Sequence, residues 1–420
     1  MTGMLFFCYI FTLSIGYLLR ALNLSHLKRY GADIPPGFEG AVDRELLART
    51  SAYTLERSRV GLIETLAENF LLIIFLFGGL LGVYDRWVVS LNGSFIMEGV
   101  LFFLGFNLAG IVLGIPFSYY STFHIENRYG FNTTSIKLWL SDLVKSAFIG
   151  ILFTMALAGG ALAIVQYSPR LWWLWAWSFF AMVTLFLLHL SPYVIEPLFN
   201  KFEPVRKEGL EEEIRALLAK AGLSVSRVLQ VDASRRSRHS NAYFTGIGRV
   251  KRIVLYDTLL EQMSHGEILA VLAHEVGHWK KGHIWKRLLF MEAGGLAVFY
   301  AAFRLLAWGG LPGLLGLSQA SFAAQTVILG FIGSLAAFPF TPLGSWLSRR
   351  HEWEADWFAC DLTGHPESLA TALIKLSREN LANFHPHPLY ARVYYSHPSV
   401  VERVRRLREK TETRRQLLEV

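Results

Sequence analysis

Apolar residues gather into seven long runs, at 4–22, 66–84, 99–118, 144–165, 171–194, 288–308 and 324–343, separated by polar connections. Each is near or beyond the ~20 residues a helix needs to cross the hydrocarbon of a bilayer. The pattern predicts transmembrane helices grouped as five and two around one long polar insertion. The first run has no basic stretch before it and no small-residue cleavage site after it, so it reads as a span and not as a cleaved leader. Residues 1–194 thus carry five spans, 195–287 the insertion, 288–343 a two-helix hairpin and 344–420 a charged tail.

Inside the insertion the period changes. Leu210, Ile214, Leu217 and Leu218 recur as on one face of a helix, with Gly222 as its stop. RVLQVDA alternates like a strand. NAYFTGIGRVKRIVLYDTLL predicts an aromatic strand, a turn at Gly246 and Gly248, and a β-branched strand through Val254. SHGEILAVLAHEVGHWKKGHIWKRLL returns to a helical period, with Ser264 and Glu267 spaced as a capping box. No breaker is read before Gly294, so this helix is expected to run straight into the sixth span. The fold class is a mainly α-helical polytopic membrane protein with an α+β region outside the lipid.

Composition agrees. Of 420 residues 53% are apolar and only 18% charged, too few charges for an ordinary soluble protein. Lys28, Arg29, Arg44, Arg49, Arg57, Arg59, Arg128 and Lys137 fall on the same side as the two long basic regions, with little beyond Arg86 and Arg170 opposite. The positive-inside rule then predicts the N-terminus outside, and the insertion and tail in the cytosol. A net charge of +8 sits there against anionic headgroups. No nucleic-acid recognition module is present, so the basic balance points to a bilayer partner and not to nucleic acid. Cys8 and Cys360 lie in different regions, and no disulfide is expected.

The candidate chemistry is HEVGH, at the end of the insertion. His274 and His278 stand i, i+4 on one helix face, so two ring nitrogens can bind one Zn²⁺. Glu275 is rotated about 100° from His274, poorly placed to ligate but well placed to reach an activated water. A catalytic zinc needs a third ligand. His283 is one residue out of register for the HExxHxxGxxH pattern, and on a continuous helix it would face away, solvated or against headgroups. Glu292 would lie turns away in the membrane. HEWEAD, after the seventh span, offers Glu352 and Asp356 on one helix face while Glu354 points elsewhere. Glu352 is the expected third ligand, and Asp356 the acceptor for the free ring N–H of a ligand histidine.

These motifs resemble the type I CAAX prenyl protease family. The likeness extends over nearly the whole chain, through IPPGFEGAVDRELLARTSAYTLERSR, IENRYGFN, SPYVIEPLFNKFEPV, SRRSRHSNAYFTG, KRIVLYDTLL and YSHPSVVERV. It implies seven helices enclosing a water-filled chamber, zinc at its cytosolic end, and removal of C-terminal residues from prenylated proteins. It implies that His274, His278 and Glu352 ligate zinc and that Glu275 is the base. It also implies that Asn241 and Ala242 form an edge strand that holds extended substrate, and that His397 and Arg403 steady the oxyanion. The substrate is then a peptide or protein, lipidated in the CAAX reading. A location at the lipid edge suits that class, because a lipidated tail or an emerging membrane helix presents its cut site there.

Glu68, Asn69, Asn107, His189, Glu292 and Arg304 within the spans suggest a wetted interior, with helix-to-helix hydrogen bonding the equal alternative for Asn107 and His189. The tail RRQLLEV lacks a dilysine retrieval signal, which favours a prokaryotic origin. Such a host would lack CAAX prenylation, which opens a second reading: a quality-control protease for misfolded or truncated membrane proteins. A silent scaffold with a structural zinc is disfavoured, since structural sites usually close with four ligands and often use cysteine.

Overall fold

A computed structural model describes residues 1–245 and 252–418. The turn expected at Gly246 and Gly248 lies outside them. Among the described residues, seven helices are long and apolar enough to cross a membrane: Thr2–Tyr30, Arg44–Phe77, Phe95–Glu126, Ile136–Tyr167, Trp172–Phe199, His283–Trp308 and Phe322–Thr363. They leave Phe7, Phe11, Phe70, Met182, Phe290 and Val298 exposed, apolar surface of the kind that lipid covers at low cost.

Three departures from the sequence expectation shape the region that carries the HExxH and HEWEAD motifs. The second span does not run through 66–84: it is the tail of a helix, Arg44–Phe77, that stops at Gly78, and a separate helix, Leu80–Val89, follows. At 34 residues, this helix is about 50 Å long against about 30 Å of hydrocarbon. Its first turns therefore leave the bilayer, and Leu47 packs into the core of the α+β region. The seventh span does not end at 343. Pro339 and Pro342 turn the chain through one 3₁₀ turn, Phe338–Phe340, and a new helix, Thr341–Thr363, carries the HEWEAD carboxylates directly below the span. The third correction is the largest. Gly282, at φ +67°, breaks the chain between the HExxH helix, His265–Lys280, and the sixth membrane helix, which begins at His283.

Polar residues within the spans divide in behaviour. Asn69 accepts from the Tyr9 hydroxyl at 2.7 Å and donates to that of Tyr17 at 2.8 Å, so it joins the first two membrane helices. Asn107 lines an apolar cavity of about 570 Å³ with its amide oxygen buried and unpartnered.

The helix and strands read in the insertion form, as Leu210–Lys220, β2 (Arg227–Val231), β3 (Ala242–Thr245) and β4 (Arg252–Tyr256), and a short strand not read from the sequence, β1 (Phe202–Pro204), joins them. The sheet order is β1-β2-β4-β3, with β2 parallel to β4 and β3 antiparallel at one edge. Ser264 and Glu267 form the capping box that starts the HExxH helix. One core joins these parts: Ile214, Leu218, Ile253, Leu255, Leu272 and Val276 meet Cys360, Leu369, Ile374 and Val404. Cys8 and Cys360 are both free.

Candidate active site

The HExxH helix is held by apolar burial on one side: Ile268, Leu272, Ala273 and Val276 are fully buried. Its other face meets the Thr341–Thr363 helix closely. A Cβ built on Gly277 would fall 2.8 Å from the Ala355 Cα, so only glycine lets the two backbones approach this far. That contact brings together residues some eighty positions apart.

At the crossing three ligand atoms converge. His278 Nε2 lies 3.2 Å from His274 Nε2 and 3.2 Å from Glu352 Oε1, while His274 Nε2 is 3.4 Å from Glu352 Oε2. Glu352 is 4% exposed, and its Oε2 makes no hydrogen bond. Two imidazole nitrogens facing each other beside a buried carboxylate are a donor set whose charge and lone pairs a divalent metal ion satisfies. The donor set fits. Burial works against a charged ring at His274, yet the carboxylates of Asp356, bonded to it, and of Glu352, beside it, outweigh that and lift the group to about 9. The same demand for positive charge is visible there.

Asp356 Oδ1 accepts from His274 Nδ1 at 2.8 Å, as expected. Arg403 then clamps Asp356, with Nε at 2.9 Å and Nη2 at 2.6 Å, and keeps Nη1 3.7 Å from Glu352. Its strongest bonds therefore go to the carboxylate that orients a ligand, where the resemblance implied only an oxyanion partner. His397 faces the metal position, with Nε2 3.3 Å from Glu352 Oε1 and Nδ1 2.9 Å from the Ser396 hydroxyl. Glu275 is one residue around the helix, and burial raises its carboxyl above the ordinary value. His397 and Arg403 also wall a cavity of about 560 Å³ lined by Ser377, Asn380, Asn383 and Tyr395.

Strand β3 forms the sheet edge of this region. Asn241 C=O accepts from Tyr256 N–H at 3.1 Å, so by antiparallel alternation the main chain of Ala242 and Phe244 turns outward. Asn241 Oδ1 bonds the Ala242 N–H at 2.8 Å. The approach to the strand is fixed by Asn380, whose Oδ1 accepts from Ser240 N–H at 3.1 Å and meets His239 Nδ1 at 3.0 Å. Arg236, just upstream, pairs with Asp142 of the fourth membrane helix at 2.8 Å.

His283 departs from the expectation of a solvated or headgroup-facing residue. It is 4% exposed, not solvated, with Nδ1 3.0 Å from His278 Nδ1 and Nε2 3.1 Å from Glu354. A continuous helix would have sent it to the far face; the break at Gly282 turns it back. Glu354, read as pointing elsewhere, does leave the metal position, but it does so to meet His283.

Comparison with known proteins gives the same picture from outside. Residues 23–201 match the family model described as CAAX prenyl protease N-terminal, five membrane helices, and residues 204–411 match peptidase family M48. The chain is 33% identical to an Arabidopsis thaliana CAAX prenyl protease 1 homolog, covering 89% of each. It is 32% identical to the Saccharomyces cerevisiae CAAX prenyl protease 1, covering 88% of this chain and 87% of that one. The Homo sapiens homolog is 30% identical, with 89% and 88% covered. The fold superposes on the crystal structure of S. mikatae Ste24p with a TM-score of 0.86 at 27% identity, covering 95% of this chain and 98% of that one. The two family models meet end to end across the membrane helices and the HExxH region, and the chain belongs to the CAAX prenyl proteases of peptidase family M48, multi-pass membrane metallopeptidases.

Proposed function

We propose that this protein is a zinc endopeptidase that cuts near the C-terminus of prenylated, CAAX-type proteins at the cytosolic face of its membrane, its N-terminus lying outside. The observation that carries the reading is the convergence of His274, His278 and the buried carboxylate of Glu352 within 3.2–3.4 Å. Two imidazoles and a carboxylate that leave a position open are the donor set of catalytic zinc. The relatives' names supply the substrate class.

Bound zinc would supply Lewis acidity toward the scissile carbonyl and the attacking water. Glu275 takes that water's proton and passes it to the leaving amine, and a carboxyl raised by burial is suited to both transfers near neutral pH. His397 donates from Nε2 to the oxygen that gains charge. Arg403 and Asp356 hold His274 in the tautomer whose Nε2 is free to ligate. Substrate lies extended along β3, bonding to the outward carbonyl of Ala242 and the outward main chain of Phe244. Only Lys281 and Gly282 separate the HExxH helix from a membrane helix, so the cut is made at the bilayer surface.

The test uses the purified full chain in lipid vesicles. A farnesylated CAAX peptide is expected to be cleaved, with loss on chelation and recovery on adding zinc, and its unprenylated twin cleaved less. Equal cleavage of the two, together with turnover of truncated membrane proteins, would replace this substrate class by quality control. An N-methyl scan of a peptide substrate separately examines the strand. Only every second amide of an added strand faces β3, so losses of about tenfold to hundredfold are expected at alternate positions. Uniform tolerance along the peptide would remove β3 from the substrate path.

A further inference from the structure

We infer that His283, the first residue of the sixth membrane helix, is a positioning residue for the metal ligand His278, and that Glu354 sets the tautomer in which it acts. The inference rests on His278 ligating through Nε2, as proposed above. Proton placement then follows atom by atom. With the Nε2 lone pair given to the metal, the ring proton of His278 sits on Nδ1, the atom 3.0 Å from His283 Nδ1. His283 must accept there, so its own proton is on Nε2, 3.1 Å from the Glu354 carboxylate. Glu354 is in turn paired with Arg350 at 3.3 Å. No other arrangement of protons satisfies all three groups.

His283 is held for this task. Its ring stacks on His351 at 4.1 Å with 10° between planes, and it is almost wholly buried. Gly282, left-handed at φ +67°, is what lets a residue outside the HExxH helix reach the back of His278. The two ligand histidines are thus steered differently, His274 by a carboxylate directly and His278 by an imidazole backed by a carboxylate. The second chain starts in a membrane helix, so the orientation of that span is mechanically tied to the metal site.

The experiment measures zinc affinity of the stripped full-length protein in detergent by competition with a chromophoric chelator, and the visible spectrum of its cobalt form. His283→Phe keeps the stack and removes the acceptor. Zinc is expected to bind roughly 10- to 100-fold more weakly, with shifted cobalt bands. His283→Asn returns an acceptor near the Nδ1 position and should recover most of the affinity. Glu354→Leu should resemble His283→Phe, and Glu354→Gln, which still accepts, should lose less. Should His283→Phe not fold, Glu354→Leu reads the same chain from a side chain 31% exposed. Unchanged affinity and spectrum in both, or no recovery with Asn, would overturn the inference. His278→Ala separates the two levels. If it leaves zinc affinity intact, the metal site itself has been misassigned; if it abolishes binding while His283→Phe changes nothing, only this inference falls.

Discussion

Glu275→Gln is expected to keep its metal and lose hydrolysis by roughly 10²–10⁴-fold. The amide has the shape of the carboxylate but cannot take a proton from water, so the change removes a step and leaves the fold. The metal should stay because the ligand atoms belong to His274, His278 and Glu352, on the neighbouring face and the opposing helix. A kcat measured alongside metal content distinguishes loss of chemistry from loss of metal. The physical reason for trusting this residue is position: a histidine ligand on each side along the helix, and a carboxyl that burial raises toward the pH at which it must both accept and donate. Full activity in the variant would remove Glu275 from the mechanism.

Arg403→Leu is expected to be the most destabilising single change at the site. It strands Asp356, 1% exposed, as a buried carboxylate whose clamp is gone. Breaking a buried pair from one side costs about 3–5 kcal/mol, because the remaining charge stays desolvated. Removing both charges with Arg403→Leu and Asp356→Leu should cost less than the sum of the two single changes. The double variant should still bind metal weakly, by about 10–100-fold, since the His274 N–H has lost its acceptor. Thermal unfolding of the three variants in the chelated protein checks the stability part, and chelator competition checks the other. Additive single effects would mean that Arg403 and Asp356 do not act as a pair.

Much of the architecture was legible because it is written locally. A span shows itself as a long apolar run, and a capping box as Ser264 and Glu267 three apart. His274 and His278, or Glu352 and Asp356, show themselves as i, i+4 pairs. Even the need for a distant carboxylate could be read, from the incompleteness of a two-histidine site. Arg403 was harder. Its motif pointed to the metal region, but nothing in HPSVVER says that its guanidinium bonds Asp356, because that depends on where two helices cross.

Two glycines in one stretch mark the limit. Gly277 and Gly282 stand five apart in HEVGHWKKGH, and neither neighbour set distinguishes them. The sequence alone determined the number of spans, three of the four strands, the faces that His274, His278, Glu352 and Asp356 share, and the family to which the motifs point. Only packing decided that Gly277 stays helical to admit Ala355 and that Gly282 turns left-handed, bringing His283 back behind His278. Periodicity reports the face a residue occupies within its own element. How closely two elements approach, and where a glycine breaks the line between them, is settled by the contacts of the folded whole.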